Sequence, residues 1–152
     1  ECLFGEIEEG EMRLNDAGQI VFEEWMKTAE IRSNIELDAC VVMPNHIHGI
    51  IVIEGRGTAR RAPTVERFGQ PVPGSIPTVI RSFKSAVTKR INEMRQTPAL
   101  QLWQRNYYEH IIRNDDDLNR IRQYIIENPA KWEMDRENPK AGYAPISGHD
   151  LR

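Results

Sequence analysis

The feature that most constrains this chain is the run from Cys40 to Ile53, the most apolar stretch of a polar sequence, which contains two histidines. β-Branched residues dominate the run and favour strands, whereas Pro44 and Asn45 interrupt it with a turn. Such a short connection is typical of antiparallel neighbours. Because successive side chains on a strand alternate between faces, His46 and His48 are predicted to point the same way. The run therefore predicts a hairpin that carries half of a metal site.

Length and composition indicate one soluble domain. The chain has 152 residues, 39% of them hydrophobic and 28% charged, which is ordinary for a globular protein. No apolar run approaches the roughly 20 residues that span a bilayer, and no signal peptide pattern opens the chain. Cys2 and Cys40 lack a CxxC spacing, so we expect a reducing, cytoplasmic location without a membrane partner, with Cys40 as a buried small hydrophobe.

Charge is distributed unevenly along the sequence. The net charge is -3, yet residues 55–105 contain ten Lys and Arg against two Asp and Glu. A basic segment of this kind is either a solvated surface or a footprint for a polyanion. Charge alone leaves both interpretations open.

Three amphipathic helices are predicted from apolar periodicity and capping residues. The first is capped by Asn15 or Asp16, the second follows Ser75 and ends near Gln96, and the third follows Asn114 and ends at Asn128. The first helix is expected to bury one face, made of Val21, Phe22, Trp25, Met26 and Ala29. The outer face of the second helix is predicted to carry four basic residues, Arg81, Lys84, Lys89 and Arg90.

The remaining segments complete an α+β pattern, in which helices lie on an antiparallel sheet. A weak strand signal occupies residues 2–7, and two strand-like pieces occupy residues 102–103 and 107–112. Residues 54–74 are rich in glycine, proline and arginine, which predicts a long flexible basic loop. A further helical turn is expected at residues 131–135, and an extended tail from about residue 137.

A third set of residues completes the candidate chemistry. Tyr124 and Asn128 are four residues apart in the third helix, so they are neighbours on one face. They offer a phenol and an amide oxygen beside the two imidazoles of the hairpin. Each feature alone is weak evidence, since tyrosines at helical spacing usually pack. Their combination in this order, with a basic segment that offers a place for phosphates, is stronger evidence of a functional site.

These blocks resemble the HUH-type single-tyrosine transposases, and within them the transposases associated with repetitive extragenic palindromes. The HUH block reads MPNHIH at 43–48, the middle block LWQRNYYEHIIRN at 102–114 and the tyrosine block YIIENP at 124–129. The resemblance extends from about residue 4 to residue 132, and the HUH and tyrosine blocks together are specific.

The resemblance implies one HUH endonuclease domain over residues 1–152, with the basic stretch 54–74 as an insertion. Its fold would be a ferredoxin-like antiparallel sheet with helices packed on it and the HUH histidines on a central strand. Relatives carry a further strand ahead of the position where this chain starts, so that strand is expected either upstream or absent. By the same resemblance, Tyr124 is the nucleophile, and His46 and His48 bind Mg²⁺ or Mn²⁺. Asn128 stands where many relatives have Gln and would be the third ligand.

The implied activity is cleavage and rejoining of single-stranded DNA near palindromic hairpins. The DNA phosphates are then expected to be bound, without readout of the bases, by Arg81, Lys84, Lys89 and Arg90. A phenol is a weak nucleophile until it loses its proton, and a cation would polarise the scissile phosphate. Attack by Tyr124 would leave a 5′-phosphotyrosine and a free 3′-hydroxyl, so the bond energy is kept for rejoining. The alternative is a domesticated relative that binds hairpin DNA without cutting it. Both a monomer and a homodimer remain open.

Other candidates receive structural interpretations. Tyr107 and Tyr108 are predicted to pack, and His110 is predicted to be a hydrogen-bonded structural histidine rather than a ligand. A histidine-triad hydrolase would need a histidine at position 50, which is Ile50, and this class is therefore excluded.

Overall fold

A computed structural model describes residues 2–54 and 72–141 of the chain. Helices pack against two small antiparallel sheets, which confirms the α+β class. One sheet pairs β1 with β2, and the other pairs β3 with β4. In chain order the elements are β1 Gly5–Glu8, β2 Glu11–Leu14, α1 Asp16–Glu30, β3 Ile35–Val42, β4 Ile47–Ile53, α2 Ile76–Arg95, α3 Asp115–Glu127 and a 3₁₀ helix Pro129–Met134.

The predicted N-caps are confirmed, and they explain where the helices begin. The side-chain oxygens of Asn15, Ser75 and Asn114 accept hydrogen bonds from the backbone N–H three residues later, at 2.9, 3.3 and 2.8 Å. Each bond satisfies one of the donors that a helix start leaves without a partner. The acidic first turn of α3 adds a favourable interaction with the helix dipole.

The main core lies where α1 and α2 pack against each other and against the β3–β4 hairpin. Its fully buried side chains include Val21, Val87 and Ile91. The prediction for α1 is wrong for Phe22 and Met26, which are 38% and 42% exposed. The buried stripe of α1 instead runs through its earlier residues Ala17, Gly18, Ile20 and Val21 to Trp25 and Thr28.

The β3–β4 hairpin has two different faces. Ile47 and Ile51 of β4 pack against the main core, so His48 and Ile50, which alternate with them, point to the opposite face. Helix α3 contacts β3, and its Tyr124 ring meets His48 on that opposite face. The hairpin is therefore covered by α1 and α2 on one side and by α3 on the other.

Three local predictions need correction. No strand forms at 102–103 or 107–112, because this segment makes no ladder with another strand; Lys84 instead binds the carbonyls of Gln104 and Asn106. The signal at 2–7 corresponds to β1, whereas its partner β2 is not predicted from the sequence. The part of the tail described to residue 141 forms turns rather than an extended chain.

Two of the predicted segments are largely outside the part of the chain that the structure describes. Most of the basic insertion, residues 55–71, and the end of the tail, residues 142–152, lie outside the described residues. Within the described ranges, every helix is too short or too polar to cross a membrane.

Candidate functional site

The two histidines of the HUH block lie in direct contact. The Nε2 atoms of His46 and His48 are 2.9 Å apart, and their rings meet edge-to-face with centroids separated by 4.6 Å. His46 ends the turn and His48 is the second residue of β4. The prediction that both imidazoles point the same way is confirmed.

Asn45 determines which nitrogen of His46 carries the proton. The Asn45 side chain lies 2.7 Å from the carbonyl oxygen of Glu137 and 2.7 Å from Nδ1 of His46. Since a carbonyl only accepts, the amide Nδ2 must face Glu137, and Oδ1 must face the imidazole. Nδ1 of His46 therefore donates, and its Nε2 keeps a lone pair. That lone pair is directed to His48.

Burial keeps both imidazoles neutral. Desolvation lowers the pKa of His46, and Asp135 partly offsets this effect. For His48, desolvation followed by the neighbouring His46 lowers the pKa to about 4, against the opposing charges of Asp135 and Glu137. Neutral imidazole is the form that ligates a metal.

The Nε2 atoms of the histidine pair share a hydrogen bond in which His48 donates, and their spacing also fits one cation once the proton of His48 is on Nδ1. Two nitrogen ligands at about 2.1 Å from an ion and about 90° apart lie about 3.0 Å from each other, close to the 2.9 Å observed. In the described ranges no group of three or more His, Cys, Asp or Glu side chains is placed to hold a metal.

Tyr124 reaches the same site from α3. Its ring stands edge-on to His48, with centroids 5.3 Å apart and planes at 75°. The side chain is half exposed, so one side of the phenol remains open to a large substrate. The structure thus brings the predicted nucleophile to the predicted ligands.

Asn128 lies one turn beyond Tyr124, at the end of α3, and its side chain is buried. Its Oδ1 is fully buried and has no hydrogen-bond partner in the part of the chain that the structure describes. An orphaned oxygen of this kind costs about 1–3 kcal/mol, which suits an atom reserved for a ligand. The backbone of Asn128 stays helical before Pro129, although a following proline disfavours that conformation.

The 3₁₀ helix closes the site on its other flank. Trp132 is buried, and its ring lies 6.1 Å from that of His46. Asn138 donates to the carbonyl of Trp132, and the carbonyl of the neighbouring Glu137 accepts the hydrogen bond from the Asn45 side chain. These bonds hold the segment after α3 against the turn that precedes His46.

The prediction that four basic residues share one outer face of α2 is wrong. At 100° per residue, Arg90 lies on the opposite side of the helix from Arg81. Arg90 makes ion pairs with Glu23 and Glu24 of α1, both at 2.7 Å, and Lys84 donates to the carbonyls of Gln104 and Asn106 at 3.0 and 3.1 Å. Arg81 and Lys89 are exposed, and DNA contact by these residues stays a prediction.

The remaining candidates have structural contacts. His110 bonds to Asp117 at 2.8 Å, as predicted for a structural histidine. Tyr107 contacts Lys84, whose ammonium lies 6.0 Å from the ring centre. The prediction that Tyr108 packs is wrong, because this residue is 89% exposed. Cys40 is half-buried against the core, and burial raises the pKa of its thiol.

Sequence reasoning missed Asn45, Trp132, Asp38 and Arg122 as parts of the site. Asn45 could have been found, because it precedes His46 within the HUH block. The ion pair between Arg122 and Asp38 joins residues 84 positions apart, and no local signal marks it.

One protein of Haemophilus influenzae, itself uncharacterized, is similar to this chain. The two are 37% identical over 141 residues, which cover 90% of this chain and 77% of the Haemophilus protein. No family model and no solved structure match the chain.

Proposed function

We propose that this chain, which belongs to the same family as that uncharacterized Haemophilus influenzae protein, is a metal-dependent endonuclease and strand transferase of single-stranded DNA. In this proposal it is a single-tyrosine transposase of the HUH type that cleaves near hairpins. The observation that carries the proposal is the contact of Tyr124 with His48, beside the paired Nε2 atoms of the two histidines.

His46, His48 and Asn128 would hold the cation. The imidazoles are neutral, their spacing suits one ion, and the Asn128 oxygen is buried without a partner in the described part of the chain. Mn²⁺ suits imidazole ligands better than Mg²⁺ does. When bound, the cation would polarise the scissile phosphate and neutralise its non-bridging oxygens.

Tyr124 would attack the phosphorus through its phenol oxygen. The Oη–P bond forms, the P–O3′ bond breaks, the phenol proton passes to solvent, and the departing 3′ oxygen takes up a proton. The product is a 5′-phosphotyrosine with a free 3′-hydroxyl. Because the new bond is again a phosphodiester, a second 3′-hydroxyl can reverse the reaction without ATP.

We also propose that the hairpin is part of a ferredoxin-like sheet with β4 in its centre. Support comes from α1 and α2, which contact each other and cover the same face of the hairpin. A cytoplasmic location fits the two free cysteines, Cys2 and Cys40.

The test is a covalent adduct with DNA. Single-stranded hairpin oligonucleotides labelled at the 3′ end are incubated with Mn²⁺, because the 3′ fragment stays on the protein. The wild type should give an adduct that resists SDS. Tyr124→Phe should abolish the adduct with DNA affinity unchanged, and the matched control Tyr108→Phe should keep it.

Two outcomes oppose the proposal. An adduct of undiminished yield in Tyr124→Phe would show that the nucleophile is another residue. A wild type that binds hairpins yet forms no adduct across many sequences would favour the domesticated, non-cleaving relative instead.

A further inference from the structure

Helix α3, which carries Tyr124, is held on the hairpin by few apolar contacts. Ile125 is its one buried residue, and Tyr124 and Ile126 on either side of it are 50% and 67% exposed. Leu118 and Ile121, which continue its apolar stripe, are only half-buried, so apolar packing alone fixes the rotation of the helix about its axis loosely. A directional polar contact would fix that rotation more firmly.

Arg122 supplies such a contact through a forked ion pair with Asp38 of β3. Its Nε donates to Oδ1 at 2.8 Å, and its Nη2 donates to Oδ2 at 2.5 Å. A planar guanidinium that binds both carboxylate oxygens restricts direction as well as distance. The pair therefore restricts both the position and the rotation of α3.

A β-bulge places Asp38 for this role. Leu37 pairs with Ile51 and Cys40 pairs with Gly49, so Asp38 and Ala39 together oppose one residue of β4. Because of the extra residue, the side chain of Cys40 faces the core as that of Leu37 does, and Asp38 lies within reach of Arg122. The Ala39 N–H, in the bulge, donates to Oδ1 of Asp38 at 2.7 Å.

Arg122 and Tyr124 lie on opposite flanks of the stripe that faces the hairpin. At 100° per residue, they are about 160° apart, and Ile125 lies between them. Arg122 reaches β3 on one flank, and Tyr124 reaches His48 of β4 on the other. Any rotation of α3 that releases the first contact also displaces the phenol.

We infer that Asp38 and Arg122 are positioning residues that fix the rotation of α3, so that Tyr124 stays against His48. This inference rests on the proposed function for its catalytic consequence. A rotation of about 20° moves a side-chain tip roughly 6 Å from the helix axis by about 2 Å. A misplacement of about 1 Å can lower a rate about 100-fold.

The test compares Arg122→Gln and Arg122→Lys with Arg120→Gln. Arg120 is a matched control, since its ion pair with Asp117 lies within α3 and does not reach the hairpin. Three quantities are measured: the nuclear Overhauser effect between the Tyr124 and His48 rings in metal-free protein, the single-turnover rate of adduct formation, and the affinity for hairpin DNA.

Arg122→Gln should lose the ring-to-ring signal and form adduct at least about 100-fold more slowly, with DNA affinity within about twofold of wild type. Arg122→Lys keeps the charge without the fork and should recover thermal stability but little of the rate. If Arg122→Gln does not fold, Arg122→Lys decides the same question. Arg120→Gln should match the wild type.

The inference is overturned if both Arg122 variants keep the ring-to-ring signal and the wild-type rate. Failure of the proposed function looks different. In that case no variant or wild type forms an adduct, while the ring-to-ring signal still disappears in Arg122→Gln.

Discussion

Tyr124 of α3 and His48 of β4 meet edge-to-face, with ring centroids 5.3 Å apart. The contact joins two elements that are distant in sequence and brings a phenol to a pair of neutral imidazoles. It leaves the phenol half exposed, as a nucleophile for a polymer substrate requires. The proposed chemistry depends on this contact more than on any other.

Asn45 is expected to strengthen metal binding without touching the metal. Asn45→Ala removes the acceptor that holds the Nδ1 proton of His46, so Mn²⁺ should bind about 10–100-fold more weakly. Asn45→Asp keeps that acceptor and should bind Mn²⁺ with an affinity closer to wild type. Calorimetric titration of both variants measures the difference, and equal affinity of Asn45→Ala and wild type would exclude this role.

Replacing the Asn128 amide should leave the metal-free protein at least as stable and should weaken metal binding. Asn128→Leu removes a buried oxygen without a partner in the described part of the chain, so the metal-free variant should be at least as stable as wild type, with a Tm higher by a few degrees for about 1 kcal/mol. The same change should abolish the rise in Tm that Mn²⁺ causes.

Asn92→Leu is the matched control for Asn128→Leu. Asn92 also has a buried Oδ1 without a partner in the described ranges, but it lies in α2 and donates to the carbonyl of Leu100. This variant should keep the response to Mn²⁺. A metal-free Asn128→Leu protein that is clearly less stable than wild type would indicate a structural role for the amide.

Acid should destabilise the metal-free protein through His48. Its pKa is about 4 when folded and about 6.5 when unfolded, so between these values the unfolded chain binds the additional proton. The free energy of unfolding should therefore fall as pH drops from about 6.5 to about 4, by on the order of 2–3 kcal/mol.

Urea unfolding at several pH values in EDTA measures this loss, and His48→Gln should reduce it. Below about pH 4 a second decline is expected from Asp38, whose pKa the Arg122 guanidinium lowers to about 2. A His48 ring that titrates near 6.5 by NMR would contradict the expected effect of burial.

The features that follow from local sequence were predictable. The N-caps Asn15, Ser75 and Asn114 accept short-range bonds, and the alternation of a strand placed His46 and His48 together. Such features depend on neighbours within four residues, so propensity and periodicity are sufficient to find them.

The contacts that position the site were not predictable in this way. Arg122 pairs with Asp38 across 84 positions, and Asn45 binds the Glu137 carbonyl across 92 positions. Arg90 looked like a DNA ligand because its partners, Glu23 and Glu24, lie on another helix. Each of these pairs depends on how the elements pack, which no single segment determines.

The central claim is tested most directly by locating the DNA on the protein. The chain has four tyrosines, and the wild-type adduct formed with Mn²⁺ and hairpin DNA can be digested with nuclease and protease before mass spectrometry. The nucleotide should be found on the peptide that contains Tyr124, attached through its 5′-phosphate. A nucleotide on Tyr108 or on any other residue, with the Tyr124 peptide unmodified, would contradict the proposed role of Tyr124.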